Sequence, residues 1–180
     1  MLDVKFINVI TNCTSTMRCY LCNATSKQFN DLDNIMARPI IEEHLQYGIS
    51  SLHAWIRFLG CCLSVAYRLE VEKWQIREDE PLTKSKVENR KKKIQEDFRV
   101  KMSLIVDQPK QAYGSSNDGN TARRFFQKAE DTAAITGLNL ELLKRLHNIL
   151  QVLSCGYEID VDIFEEYSLQ TARLSVSVYP

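Results

Sequence analysis

Residues 50–67 read "SSLHAWIRFLGCCLSVAY", and the fold class turns on their periodicity. Leu52, Trp55, Ile56, Leu59, Leu63, Ala66 and Tyr67 recur at threes and fours, the period of an amphipathic helix and not the alternation of a strand. The apolar residues cover more than half of the helix circumference, which predicts a central core helix with Cys61 and Cys62 packed in it as small apolar side chains. The stretch is too short to span a bilayer, and His53 and Arg57 make it too polar. A mainly α protein follows, with no membrane-spanning segment.

Downstream, "REDEPLTKS" breaks the pattern with a proline and a charge cluster. A second helix is then predicted from Lys84 to Ile105, with Val87, Ile94, Phe98, Met102 and Ile105 as its buried stripe. Its other faces carry eight basic residues, Arg90, Lys91, Lys92 and Lys93 at their centre, against three acidic ones. "DQPKQAYGSSNDGN" is the clearest loop in the chain. Asn120 or Thr121 is expected to cap a helix beginning "ARRFFQKAEDTAAI" and ending at Gly137. A leucine-rich helix follows over Asn139–Ser154, and Asp160 caps a last one, "VDIFEEYSLQTARLSV". From Glu130 onward acids outnumber bases eight to three, so a basic middle precedes an acidic tail.

Upstream, "VKFINVI" (4–10) is β-branched and aromatic and predicts a short strand. "SKQFNDLDN" predicts one or two helical turns, and Pro39 the start of another short helix. Residues 1–38 thus form a strand and C-x2-C segment, and residues 39–180 a helical domain.

The 180 residues carry 23 basic and 23 acidic side chains, so any electrostatic footprint is local. The N-terminus lacks a signal-peptide core, and the six cysteines do not have the spacing of a secreted disulfide framework. An intracellular protein is expected. Nothing in the sequence points to a small-molecule substrate.

"RCYLCNAT" (18–25) places Cys19 and Cys22 two residues apart, a spacing that lets both sulfurs reach one zinc ion. The alternatives are a redox dithiol, for which the surroundings offer no βαβ pattern, and no special role. His53 reads as a hydrogen-bonded structural residue, and His44 and His147 as solvated on helix surfaces. The basic helix reads either as phosphate-facing or as a solvated face. "NTARRFF" combines a helix start, whose free N–H groups suit a phosphate, with Arg123 and Arg124 one turn in. Phe125 and Phe126 are expected in the core.

Taken in order, "LDVK", "RCYLCNAT", "GISSLHAWIR", "KMSL" and "DGNTARRFF" resemble part of the catalytic region of the RAG and Transib-like DDE recombinases. The resemblance implies the edge of a ribonuclease-H-like core joined to a zinc-linked helical region. In that family three acidic residues hold two divalent metals, magnesium or manganese, for strand cleavage and transfer. By matching motif, Asp3 would be the second of these acids, Cys19 and Cys22 the cysteine half of the zinc site, and Asn120, Arg123 and Arg124 DNA-facing. The first acid, the His-x4-His motif and the glutamate after it have no counterpart in the chain, so the resemblance implies a recombinase fragment. Such a fragment is expected to bind DNA, in the nucleus of a eukaryote, and not to cut it, since one aspartate cannot clamp two metals. A zinc shared by two chains would make a homodimer. The competing expectations are a non-enzymatic helical protein-interaction module with a structural cysteine pair and, further off, a nuclease active as it stands.

Overall fold

The computed structural model describes residues 7, 9–11, 18–25, 27–48, 50–71, 80–110 and 114–180. These are mainly helical, as the periodicity predicts. The helices are α1 (Leu32–Met36), a 3-10 turn (Glu42–Tyr47), α2 (Ser51–Arg68), α3 (Pro81–Met102), α4 (Gly119–Gln127), α5 (Ala129–Thr136), α6 (Leu140–Val152) and α7 (Val161–Val178). Pro109 pairs antiparallel with Ser115, and Lys110 with Gly114, as a two-residue ladder in the α3–α4 loop. Among the described residues no helix is long and apolar enough to cross a membrane.

The chain divides into two compact units, one formed by Met1–Ala54 with Gly156–Pro180 and one by Trp55–Cys155. The second is built on aromatic contacts. Trp55 of α2 meets Phe126 edge-on at 5.9 Å, Phe126 meets Phe125 at 5.0 Å, and Phe125 meets Phe98 of α3 at 5.5 Å. All four rings are buried, as are Leu59, Leu63, Ile94, Leu143 and Leu150 of the same unit. Each such side chain contributes about 2 kcal/mol by leaving water. Cys62 is buried with them, and that burial pushes its thiol far up from the ordinary value, whereas Cys61 faces solvent.

Local chemistry sets the ends of these helices. Pro81 opens α3, where its missing N–H costs no hydrogen bond. Ser103 closes it in the left-handed region (φ 48°), and Leu104 N–H donates back to Phe98 O at 3.1 Å. Ile105, expected on the buried stripe, lies beyond this stop and is 52% exposed, while its neighbours Leu104 and Val106 are buried. Gly137 ends α5 at φ 76°, a left-handed conformation in which a side chain would be strained. Asn139 and Asp160 cap α6 and α7 by accepting from the N–H groups of Leu142 and Ile163.

Two boundaries differ from expectation. The helix read as continuous from "ARRFF" to Gly137 breaks at Lys128, where φ −105° and ψ 56° interrupt the helical path between α4 and α5. In the first unit, Ile7, Val9 and Ile10 are helical where a strand was expected, and Thr11 N–H donates to Ile7 O at 2.9 Å. A short apolar run carries too little period to separate the two states. Asp31 caps α1, and the helix expected at Pro39 starts three residues later as the 3-10 turn.

Candidate nucleic-acid interface and cysteine turn

The run Arg90–Lys93 is distributed around α3 by the helical repeat. Arg90 falls between Val87 and Ile94 on the inner side. Its Nε donates to Ala66 O at 2.6 Å, its Nη2 to Thr136 O at 2.8 Å, and its Nη1 pairs with the Glu70 carboxylate. It is therefore a clamp between the C-terminal ends of α2 and α5, and a phosphate would have to break these bonds to use it. Lys91 is also engaged, 2.8 Å from the Asp107 carboxylate and over the Tyr67 ring at 5.6 Å. Lys92 and Lys93 point outward and are exposed, without an ion pair among the described residues. Lys86 and Arg99, each one heptad from Lys93 and Lys92 respectively, extend the same face. Glu96 lies within it, 3.9 Å from Arg99.

The start of α4 does not offer the anion site expected of "NTARRFF". Its N-cap is Asp118, two residues earlier than Asn120, and the Asp118 carboxylate accepts from Thr121 N–H at 2.9 Å. A negative charge already satisfies the helix terminus, so a phosphate there meets repulsion instead of free donors. Asn120 is exposed in the first turn. The two arginines that follow diverge. Arg123 lies over the Trp55 ring at 5.7 Å, whereas Arg124 turns to the end of α3 and donates to Met102 O at 2.6 Å and to Ser103 O at 3.4 Å. Arg124 thus satisfies orphan carbonyls at the negative end of the α3 dipole.

Arg18–Thr25 folds back on itself in the first unit, through a bridge between its end residues and a Cys19 N–H···O bond to Ala24 of 2.8 Å. Asn23 N–H donates to Cys19 O at 2.9 Å, with Asn23 at φ 56°. Cys19 and Cys22 lie half-exposed in this turn, and the Cys22 thiol is pushed up by burial, with a hydrogen bond to the Cys19 thiol adding to the shift. Among the described residues no three His, Cys, Asp or Glu side chains gather in a metal-binding group. His44, expected on a solvated surface, instead hydrogen-bonds through Nδ1 to Tyr20 O at 2.6 Å. His53 bonds the Ser50 hydroxyl at 2.7 Å, in keeping with a structural role. Asp3 lies outside the described residues.

His147 is the residue whose setting the periodicity least conveyed. It is half-buried against the Trp55 ring at 5.9 Å, and its pKa is lowered by that desolvation. Trp55 Nε1–H donates to the Ser154 hydroxyl at 2.9 Å. Their spacing contained part of this, since His147 lies on α6 and Ser154, seven residues on, stands in the turn that follows it. No protein-family model matches the chain, and no curated protein matches it.

Proposed function

We propose that the protein binds duplex DNA through the outer face of α3, as a non-catalytic member of the RAG and Transib-like recombinase lineage. The lineage rests on the order of the quoted motifs, and with it the reading of the first unit as the edge of a ribonuclease-H-like core. The observation that carries DNA binding is the lysine-rich strip of Lys86, Lys92, Lys93 and Arg99, exposed on one side of a 22-residue helix. A long helix bearing cations at this spacing suits phosphates, which position a protein without reading sequence. Arg123 and Asn120 remain candidates for further contacts. Arg90 and Arg124 are assigned to the fold.

The test is fluorescence anisotropy of a labelled duplex across a salt series. Affinity should fall steeply with salt, and Lys92→Glu with Lys93→Glu should weaken binding while reducing the slope of log K against log salt by about 2. Binding indifferent to salt and to both substitutions would refute the proposal.

A second reading, a helical protein-interaction module, is favoured by exposed apolar residues. Leu82 and Val100 lie on the outer side of α3 at 80% and 69% exposure, and Val161 and Ile163 begin α7 similarly uncovered. A protein partner whose binding is lost with the lysine substitutions, together with no affinity for DNA, would select this reading.

A further inference from the structure

The cysteine turn has a geometry that the zinc and DNA readings leave unused. The Asn23 N–H to Cys19 O bond wraps residues 19–23 into a single α-turn. In such a turn, side chains three residues apart stand on one face with Cβ atoms about 5–6 Å apart. A disulfide needs a Cα separation of about 4.4–6.8 Å and Cβ atoms about 3.5–4.5 Å apart, so closing one draws the two Cβ atoms together by about 1–2 Å. Both residues are half-exposed, so a small disulfide can reach either thiol. Cys61, Cys62 and Cys155 do not share this spacing of three residues. Cys61 and Cys62 are adjacent in sequence, yet one faces solvent and the other the core.

The peptide groups between the two cysteines also hold the following segment. Tyr20 O, Leu21 O and Cys22 O receive, in order, His44 Nδ1 at 2.6 Å, Ile41 N–H at 2.8 Å and Arg38 Nη1 at 3.4 Å. Tyr20 donates its hydroxyl to Gly48 O at 2.8 Å. Every carbonyl from Tyr20 to Cys22 is thus an anchor for residues 38–48, and the rigidity of the turn sets how firmly those residues are held.

We propose that Cys19 and Cys22 are a reversible disulfide site, closed by a low-molecular-weight disulfide such as oxidised glutathione. One cysteine thiolate attacks a glutathione sulfur, the glutathione S–S bond breaks, and the departing thiolate takes up a proton. The second cysteine thiolate then attacks the protein-side sulfur of the mixed disulfide and expels the second glutathione. Two protein thiols lose two protons and two electrons, and one glutathione disulfide takes them up to become two glutathione thiols. The closed ring fixes the three anchoring carbonyls. It also removes the thiolates a zinc ion would need, so oxidation and metal binding exclude each other. The inference is independent of DNA binding.

The experiment equilibrates the intact chain in glutathione buffers of stepped oxidation, blocks free thiols by alkylation and maps the products by mass spectrometry. Cys19 and Cys22 should escape alkylation together, on a peptide lighter by two hydrogens, and recover in reduced glutathione. Repeated in urea, the equilibrium constant for closure should be lower by about tenfold or more, because the folded turn holds the thiols together. Cys22→Ser should stop the reaction at a Cys19–glutathione adduct, and amide exchange at Ile41 should slow on oxidation of the native sequence. The proposal is overturned if both cysteines stay alkylatable in fully oxidised buffer or halt as separate glutathione adducts. Pairing with Cys13, which lies outside the described residues, or closure equally favourable in urea, would also overturn it.

Discussion

Arg90 shows how one side chain can carry charge without offering it to a ligand. Its guanidinium joins Ala66 O, Thr136 O and Glu70, and only 18% of the side chain is exposed. Glu70 is largely solvated, so the two carbonyl bonds carry most of the effect. Arg90→Ala is expected to destabilise the protein by about 2 kcal/mol in urea titration, and Arg90→Lys to recover little of it, because an ammonium cannot span the fork. The sequence held the clue: Arg90 is three residues after Val87 and four before Ile94, on the stripe predicted to face inward. Charge counting along the chain hides this, whereas the helical repeat reveals it. His147 is a different case, because only tertiary packing brings it to Trp55. Its pKa is lowered on folding, so the unfolded chain binds a proton first as pH falls below about 6.5, and stability declines until the folded state protonates as well. Above that range both states are neutral and the contribution vanishes. Thermal midpoints measured between about pH 7 and pH 5 should therefore fall less in His147→Gln than in the native sequence.

Among the elements, α3 shows where pattern reading stops short. Its stripe of Ile94, Phe98 and Met102 was plain, but its end was not, because Ser103 is an uncommon residue to place in the left-handed region. The backbone turns there so that Leu104 and Val106 reach the core while Arg124 closes over the last carbonyls. Ser103→Gly should relieve the conformation and stabilise the protein by about 1 kcal/mol, read as a higher urea midpoint at unchanged slope. The start of α4 was misplaced for a related reason. "NDGN" contains several residues able to cap, and the choice falls on Asp118, since the helix it starts buries Gly119, Thr121 and Ala122 as well as Phe125 and Phe126. Capping propensity proposes candidates and packing selects among them.

On the scale of the whole molecule, equal numbers of acids and bases leave no net field, so DNA binding must depend on a local strip and weaken quickly with salt. That helical character dominates was legible from residues 50–67 onward, because a long apolar period constrains the backbone strongly. The division into two units was hidden for the same reason. The period of α2 runs without interruption through Ala54 and Trp55, where the units meet along the chain. Local periodicity has no means of recording which distant residues a helix will touch.

Trp55 and Ser154 stand at the two ends of the second unit, and the indole N–H to hydroxyl bond joins residues 99 positions apart. A segment whose entry and exit meet in this way is topologically a cassette. It can be lifted out of one chain and carried in another without its ends being drawn apart, the property that makes a nested domain transferable in evolution and in protein engineering.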